Sequence, residues 1–154
     1  AATVALGIAE GGYELALAYS EEREQFGRPI NEFQGIQWKL ADMSIRLAAA
    51  QALVYKAAAS AGAGGSGRFP DMLQAAQAKI FTSEMAIEVT NQALQIFGAR
   101  GYSREFPLER MVRDARMFTI GGGTAEVLRN VVAGAILGKK LPQTRDGWLK
   151  QAAG

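Results

Sequence analysis

Apolar residues recur at three- and four-residue steps in four long stretches of the chain, and each stretch predicts an amphipathic or buried α-helix. The second is the most regular: Phe33, Ile36, Leu40, Met43, Leu47, Ala50 and Val54 alternate steps of three and four. That is the seam of antiparallel bundle packing. The first stretch, from Ala1 to about Glu24, carries two stripes, one of Val4, Ile8, Leu15 and Ala18 and another of Leu6, Tyr13 and Leu17. Apolar residues on several sides predict a helix buried on more than one face. Ala5, Gly7, Ala9, Gly11 and Gly12 lie among them, and small residues allow another backbone close in. The third stretch opens at Pro70 and Asp71, puts Leu73, Ala76, Ile80, Ile87 and Leu94 on one face, and closes at Gly98. The fourth runs from Val127 to Leu137.

Turn chemistry separates these helices. Gly27 and Pro29 stop the first, and Asn31 is placed to cap the second. The second is expected to end near Ser60, before the glycine-rich turn at 61–67. An irregular connector, 99–107, leads to a short, densely charged helix from Leu108 to about Arg116. Three glycines, Gly121 to Gly123, then precede Thr124, a good N-cap for the last helix. No segment alternates with period two for long enough to predict a strand. Short connections make neighbours antiparallel. The expected fold is all-α: an antiparallel, up-and-down four-helix bundle with an extra short helix over residues 1–138. Residues 139–154 are expected to form a loosely attached tail, with Trp148 a residue that could dock on something.

Composition narrows the chemistry. The 154 residues suffice for one domain with a proper core, and 49% of them are hydrophobic. There is no cysteine and no histidine, which excludes disulfides, thiolate nucleophiles, Ser–His pairs and the commonest metal ligands, so no metal site is expected. Acid–base work falls to Asp, Glu, Lys, Tyr or a cofactor. Lys and Arg number 17 against 15 for Asp and Glu, interspersed, so no basic face for nucleic acid is expected. No apolar run has the length of a membrane span. The chain opens inside a helical pattern without a basic leader, so a longer parent chain is expected upstream.

The glycine turn with Thr124 behind it offers free N–H groups and the positive end of a helix dipole, a cradle for an electron-rich group. Four blocks set it in a wider pattern. Arg23-Glu-Gln-Phe-Gly27 with Pro29-Ile30 and Phe33-Gln34, Leu40-Ala-Asp-Met43, Gln95-Ile-Phe-Gly-Ala-Arg-Gly-Tyr102, and Glu105-Phe-Pro-Leu-Glu-Arg110 with Arg113-Asp-Ala115 leading into Gly123-Thr-Ala-Glu126 occur in order. From about Leu6 to Leu137 the chain resembles the C-terminal domain of acyl-CoA dehydrogenases.

That resemblance implies an FAD enzyme that oxidises an acyl-CoA to its 2,3-enoyl product, with an electron-transfer flavoprotein or similar acceptor. It implies a dimer or tetramer of identical chains with FAD spanning a subunit interface, in the bacterial cytoplasm or the mitochondrial matrix. It assigns cofactor contacts to Arg23, Phe26, Gln34, Gln95, Gly98, Thr124 and Glu126. Each has a plainer role beside this one. Arg23 complements a helix C-terminus, Phe26 plugs a core, Gln34 is a solvated helix residue and Gln95 a cap. Gly98 is a helix stop, while Thr124 and Glu126 cap the last helix and meet its dipole. Arg113 and Asp114 read as members of a structural ion-pair set. Gly98-Ala99 stands where the family's motif has Gly-Gly.

The main departure is Gly122. Many family members carry the catalytic glutamate there, and glycine has no proton acceptor. Members resembling isovaleryl-CoA dehydrogenase carry it on the first helix, at a position that falls upstream of Ala1. No catalytic residue is therefore assigned within the chain, and Glu10 lies too far along the helix to substitute. Three functions remain: a dehydrogenase whose base precedes Ala1, another flavin enzyme on the same scaffold, or a non-catalytic subunit that completes a partner's FAD site.

Overall fold

The computed structural model describes residues 1–62 and 69–139, and its organising element is α3 (Met72–Phe97). The helix α1 (Ala2–Glu22) runs alongside it, α2 (Gln34–Ala59) returns antiparallel, and α6 (Ala125–Leu137) lies against it as well. Two shorter helices, α4 (Ala99–Tyr102) and α5 (Leu108–Met117), close the bundle. This is the expected up-and-down four-helix bundle, with one short helix more than foreseen. Among the described residues no helix is long and apolar enough to cross a membrane.

Side-chain size sets how closely the helices approach. On α1 the buried residues are Ala5, Leu6, Ala9, Gly12, Ala16 and Ser20. A Cβ on Gly12 would lie 3.7 Å from both Ala93 and Thr90 of α3, so the two backbones are near contact there. Further along the same pair, Tyr19 stacks on Phe97 with centroids 4.0 Å apart. The expected stripes of larger residues are corrected by this: Val4 is 54% exposed and Leu17 37%. The small side wins because it lets more of the helix reach van der Waals distance. On α2 the predicted seam holds, with Met43, Leu47, Ala50 and Val54 buried.

Enclosure of α3 on several sides is a second correction. Its expected single apolar face is joined by buried Ala78, Thr82, Ser83, Met85, Ala86, Val89, Thr90 and Ala93. Two of the three buried hydroxyls on α3 are satisfied by the preceding turn, while Thr82 Oγ1 has no partner among the described residues. Thr90 Oγ1 donates to the Ala86 carbonyl at 2.7 Å and Ser83 Oγ to Ile80 at 3.0 Å. Polar pairs fix the antiparallel register of α2: Lys39 Nζ meets Gln92 Oε1 at 2.5 Å, and Arg46 meets Glu88 at 2.7 Å.

Several turns differ from expectation. The first helix stops at Glu22, and Arg23 is already extended. Gly27 does not terminate the helix; it sits in a hairpin of two-residue strands, β1 (Glu24–Gln25) and β2 (Arg28–Pro29). Strands this short leave no period for a sequence to show. Asn31 caps nothing. It lies in a single 3-10 turn, Ile30–Glu32, and Phe33 takes the N-cap position with no side-chain bond. Asp71 and Thr124 do cap as expected, accepting from Gln74 N at 3.0 Å and Val127 N at 3.2 Å. Trp148, the tail beyond Lys139 and most of the 61–67 turn lie outside the described residues.

Candidate functional site

The expected cofactor residues fall into two grooves. The first, of about 430 Å³, opens where the ends of α1 and α3 meet the hairpin, and it gathers Arg23, Phe26, Phe33, Gly98 and Arg100. Arg23 reaches it because α1 ends there and the chain turns into β1. Gly98 stands at the C-terminus of α3 with φ +60°, and a Cβ placed on it would meet nothing within 4 Å. Its glycine is thus required by backbone conformation, and the space beside it is open. Gln95 and Gln34 are exposed and are not among the residues lining this groove.

Phe26 is the unusual member. It is 94% exposed and has φ +54°, the one non-glycine left-handed residue among those described. With Gly27 at φ +79° it forms the two-residue tip of the hairpin, where the favoured turn needs positive φ at both central residues. Asn or Gly normally fills such a place, and a bulky side chain there is strained. The ring touches Phe33 edge-on with centroids 6.1 Å apart, and the Arg28 guanidinium lies 4.2 Å over the other side of that cluster, on the Phe33 ring. Two guanidiniums, exposed aromatic rings and an open glycine suit a flat ring carrying phosphates, so this donor set fits part of an FAD.

The second groove, of about 460 Å³, lies between α3 and the start of α6 and is lined by Glu84, Glu88, Asn91, Arg116, Thr119 and Glu126 among others. Glu126 is held below the usual carboxylate range. Its own backbone N–H is the main cause and the Thr124 hydroxyl the next; desolvation opposes them, and attraction from Arg129 and Arg116 adds less. Thr124 is half-buried and its hydroxyl oxygen is engaged at the cap. Arg116 donates to Thr119 Oγ1 on the groove wall. The two grooves share no lining residue, and along α3 they come within four positions of each other, from Gln92 to Ile96, or about 6 Å at ~1.5 Å per residue.

Gly122 borders neither groove. It faces an apolar cavity of about 520 Å³ walled by the start of α1, the end of α2, the start of α3 and α6. Its φ is +70°, and an added Cβ would come no nearer than 3.9 Å to Ala1. Among the described residues of that lining, Lys79 carries the only ionisable side chain and there is no carboxylate side chain. Lys79 is buried, and its Nζ donates to the Gly123 carbonyl at 2.5 Å. Desolvation lowers its pKa from 10.5, while Glu126 acts in the opposite sense. Lys79 and Arg100 escaped the residue-by-residue reading. Arg100 stands inside a quoted motif, whereas nothing in the sequence marks Lys79 as buried.

Comparison with known proteins adds four observations. Residues 1–137 match the family model described as "Acyl-CoA dehydrogenase, C-terminal domain". The chain is 66% identical over 146 residues to a 3-sulfinopropanoyl-CoA desulfinase of Paraburkholderia xenovorans, covering 95% of this chain and 36% of that one. It is 46% identical over 135 residues to a short-chain-specific acyl-CoA dehydrogenase of Clostridium acetobutylicum, covering 88% and 35%. Among solved structures it is similar to butyryl-CoA dehydrogenase from Megasphaera elsdenii, with TM-score 0.83 and 47% identity, covering 88% of this chain and 34% of that one. The chain thus spans about a third of the length of these relatives.

Proposed function

The chain belongs to the acyl-CoA dehydrogenase family, through that family's C-terminal domain, and on this premise we propose that its parent protein is an FAD-holding acyl-CoA desulfinase rather than a dehydrogenase. The bundle supplies one wall of the site. Arg23, Phe26 and Gly98, with Gln95 and Gln34 beside them, contact FAD from one copy of the chain. Thr124 and Glu126 contact it from another. FAD, when bound, supplies an electron-accepting ring beside the thioester. The exposed Trp38, Ile45 and Tyr55 of α2 give the kind of surface that identical copies bury against each other.

One observation carries the choice of reaction, the 66% identity to a 3-sulfinopropanoyl-CoA desulfinase, and it agrees with the absence of a carboxylate side chain to take an α-proton at Gly122 and among the described residues lining its cavity. Desulfination needs no such step. In a 3-sulfinopropanoyl thioester the Cβ–S bond breaks and a proton replaces sulfur on carbon. Water supplies the oxygen with which sulfur leaves as sulfite. Atoms and electrons then balance with no external acceptor.

A second reading has its own support. The likeness to a short-chain acyl-CoA dehydrogenase and to butyryl-CoA dehydrogenase favours oxidation by a carboxylate placed upstream of Ala1, with an electron-transfer flavoprotein as acceptor. The two are separated by assaying the full-length parent protein. With 3-sulfinopropanoyl-CoA and no added acceptor, sulfite and propanoyl-CoA are expected. With butyryl-CoA and an artificial electron acceptor, no reduction is expected. Reduction by butyryl-CoA without sulfite release in the first assay would reverse the assignment.

A further inference from the structure

Lys79 has no part in either groove, yet it is buried and bonded to the turn that carries Gly122. A lysine is rarely buried, because taking an ammonium out of water is costly unless its donors are used. Here Nζ crosses from α3 to the Gly123 carbonyl, forty-four residues later in the chain. The rest of the turn is tied from its own side. Gly121 N donates to Met117 O at 2.8 Å, and Ala125 N donates to Thr119 O at 2.9 Å. Thr124 and Glu126 close the helix start above it. Gly122 and Gly123 both have positive φ, +70° and +88°, which side chains at those positions would not hold by their own preference. Among the described residues, the one side-chain hydrogen bond from α3 to this turn is that from Lys79.

We propose that Lys79 is a positioning residue: its ammonium clamps the Gly121–Gly123 turn against α3 and so sets where the bare Gly122 backbone faces the substrate cavity. The assignment of that cavity to substrate rests on the function proposed above, but the clamp itself does not. A tether on Gly123 constrains a turn that glycine otherwise leaves free to sample many conformations. With the tether gone, the wall of the cavity next to the thioester becomes an ensemble, and a catalytic step that depends on placement slows. Binding of the remote parts of the thioester is left largely intact.

The test uses the full-length parent enzyme with Lys79→Met, which keeps the stem and removes the donor, and Lys79→Gln, which keeps a donor on a shorter stem. Amide hydrogen exchange is followed over residues 121–126. The Met variant is expected to exchange on the order of tenfold faster there, with the rest of α3 unchanged, and the Gln variant to fall between it and the wild type. For sulfite release, kcat is expected to drop on the order of tenfold in the Met variant with KM nearly constant, and Gln to restore part of it. Unchanged exchange at 121–126 in a folded Met variant would overturn the clamp. So would a fall in melting temperature with kcat per folded molecule preserved, the mark of a merely structural lysine. If the wild type releases no sulfite at all, the reaction assignment fails, while the exchange measurement still decides the clamp.

Discussion

Placing side chains at position 122 separates backbone strain from missing chemistry. Gly122→Ala adds only a Cβ, and the nearest heavy atom to it would be the Ala1 Cβ at 3.9 Å, an ordinary contact. Steric overlap therefore contributes nothing, and the cost comes from φ +70°, where a side chain loses about 1–2 kcal/mol. Gly122→Glu incurs the same backbone cost. Its carboxylate enters an apolar cavity whose one ionisable side chain is Lys79, so desolvation pushes its pKa upward while Lys79 works against that. Thermal melts of the full-length protein should fall by similar amounts for both variants, roughly 1 °C for each kcal/mol at the length of these relatives. In the butyryl-CoA assay with an artificial acceptor, only the Glu variant should gain activity, by at least the ~10²-fold that a placed general base contributes. Two results would refute this. An Ala variant as stable as the wild type would mean that position 122 is not held at positive φ. A Glu variant that folds and binds thioester yet stays inactive would mean that Gly122 does not face the reacting carbon.

Two other substitutions test separate parts of the structure. A Cβ on buried Gly101 would lie 2.8 Å from the Leu94 carbonyl oxygen and 2.8 Å from the Phe97 Cβ, so Gly101→Ala should cost about 1–3 kcal/mol in a thermal or denaturant melt. An unchanged midpoint would show that α4 does not pack as described. Phe26→Asn replaces a strained residue by one suited to left-handed backbone, with little packing to lose at 94% exposure, and should stabilise the fold by about 1 kcal/mol while lowering the FAD retained per chain after gel filtration. Full retention of FAD would remove Phe26 from the cofactor site.

Period and caps made most of the bundle legible. The α2 stripe from Phe33 to Val54 needs only its three-and-four spacing to be placed, and Asp71 and Thr124 announce the starts of α3 and α6 through side chains that bond the next turn. Where packing is decided by the absence of a side chain, the pattern misleads. Gly12 and the alanines of α1 carry little hydrophobic weight, yet they face α3 while Val4 faces solvent. The hairpin at 24–29 was hidden for a different reason: two-residue strands have no alternation, and Gly27 followed by Pro29 reads equally as a helix stop. The site was legible only through motif order. Composition alone pointed to a glycine cradle, and that cradle holds Lys79, a residue whose burial depends on helices distant in sequence.

The strain at Phe26 bears on assembly more directly than the exposed face of α2 does. Within the chain the residue gains little: its ring has one edge contact, to Phe33, and is otherwise open to water. A left-handed phenylalanine at a hairpin tip costs on the order of 1–2 kcal/mol, and a single exposed aromatic edge contact contributes roughly 0.5–1.5 kcal/mol at best. The hairpin is a turn that asparagine or glycine would form without that cost. The ring borders a groove that also holds Arg23 and Arg100, the opening assigned above to the cofactor. Under the function proposed above, a flat, phosphate-bearing cofactor held partly by a second copy would cover the ring and meet the two guanidiniums beside the open space at Gly98.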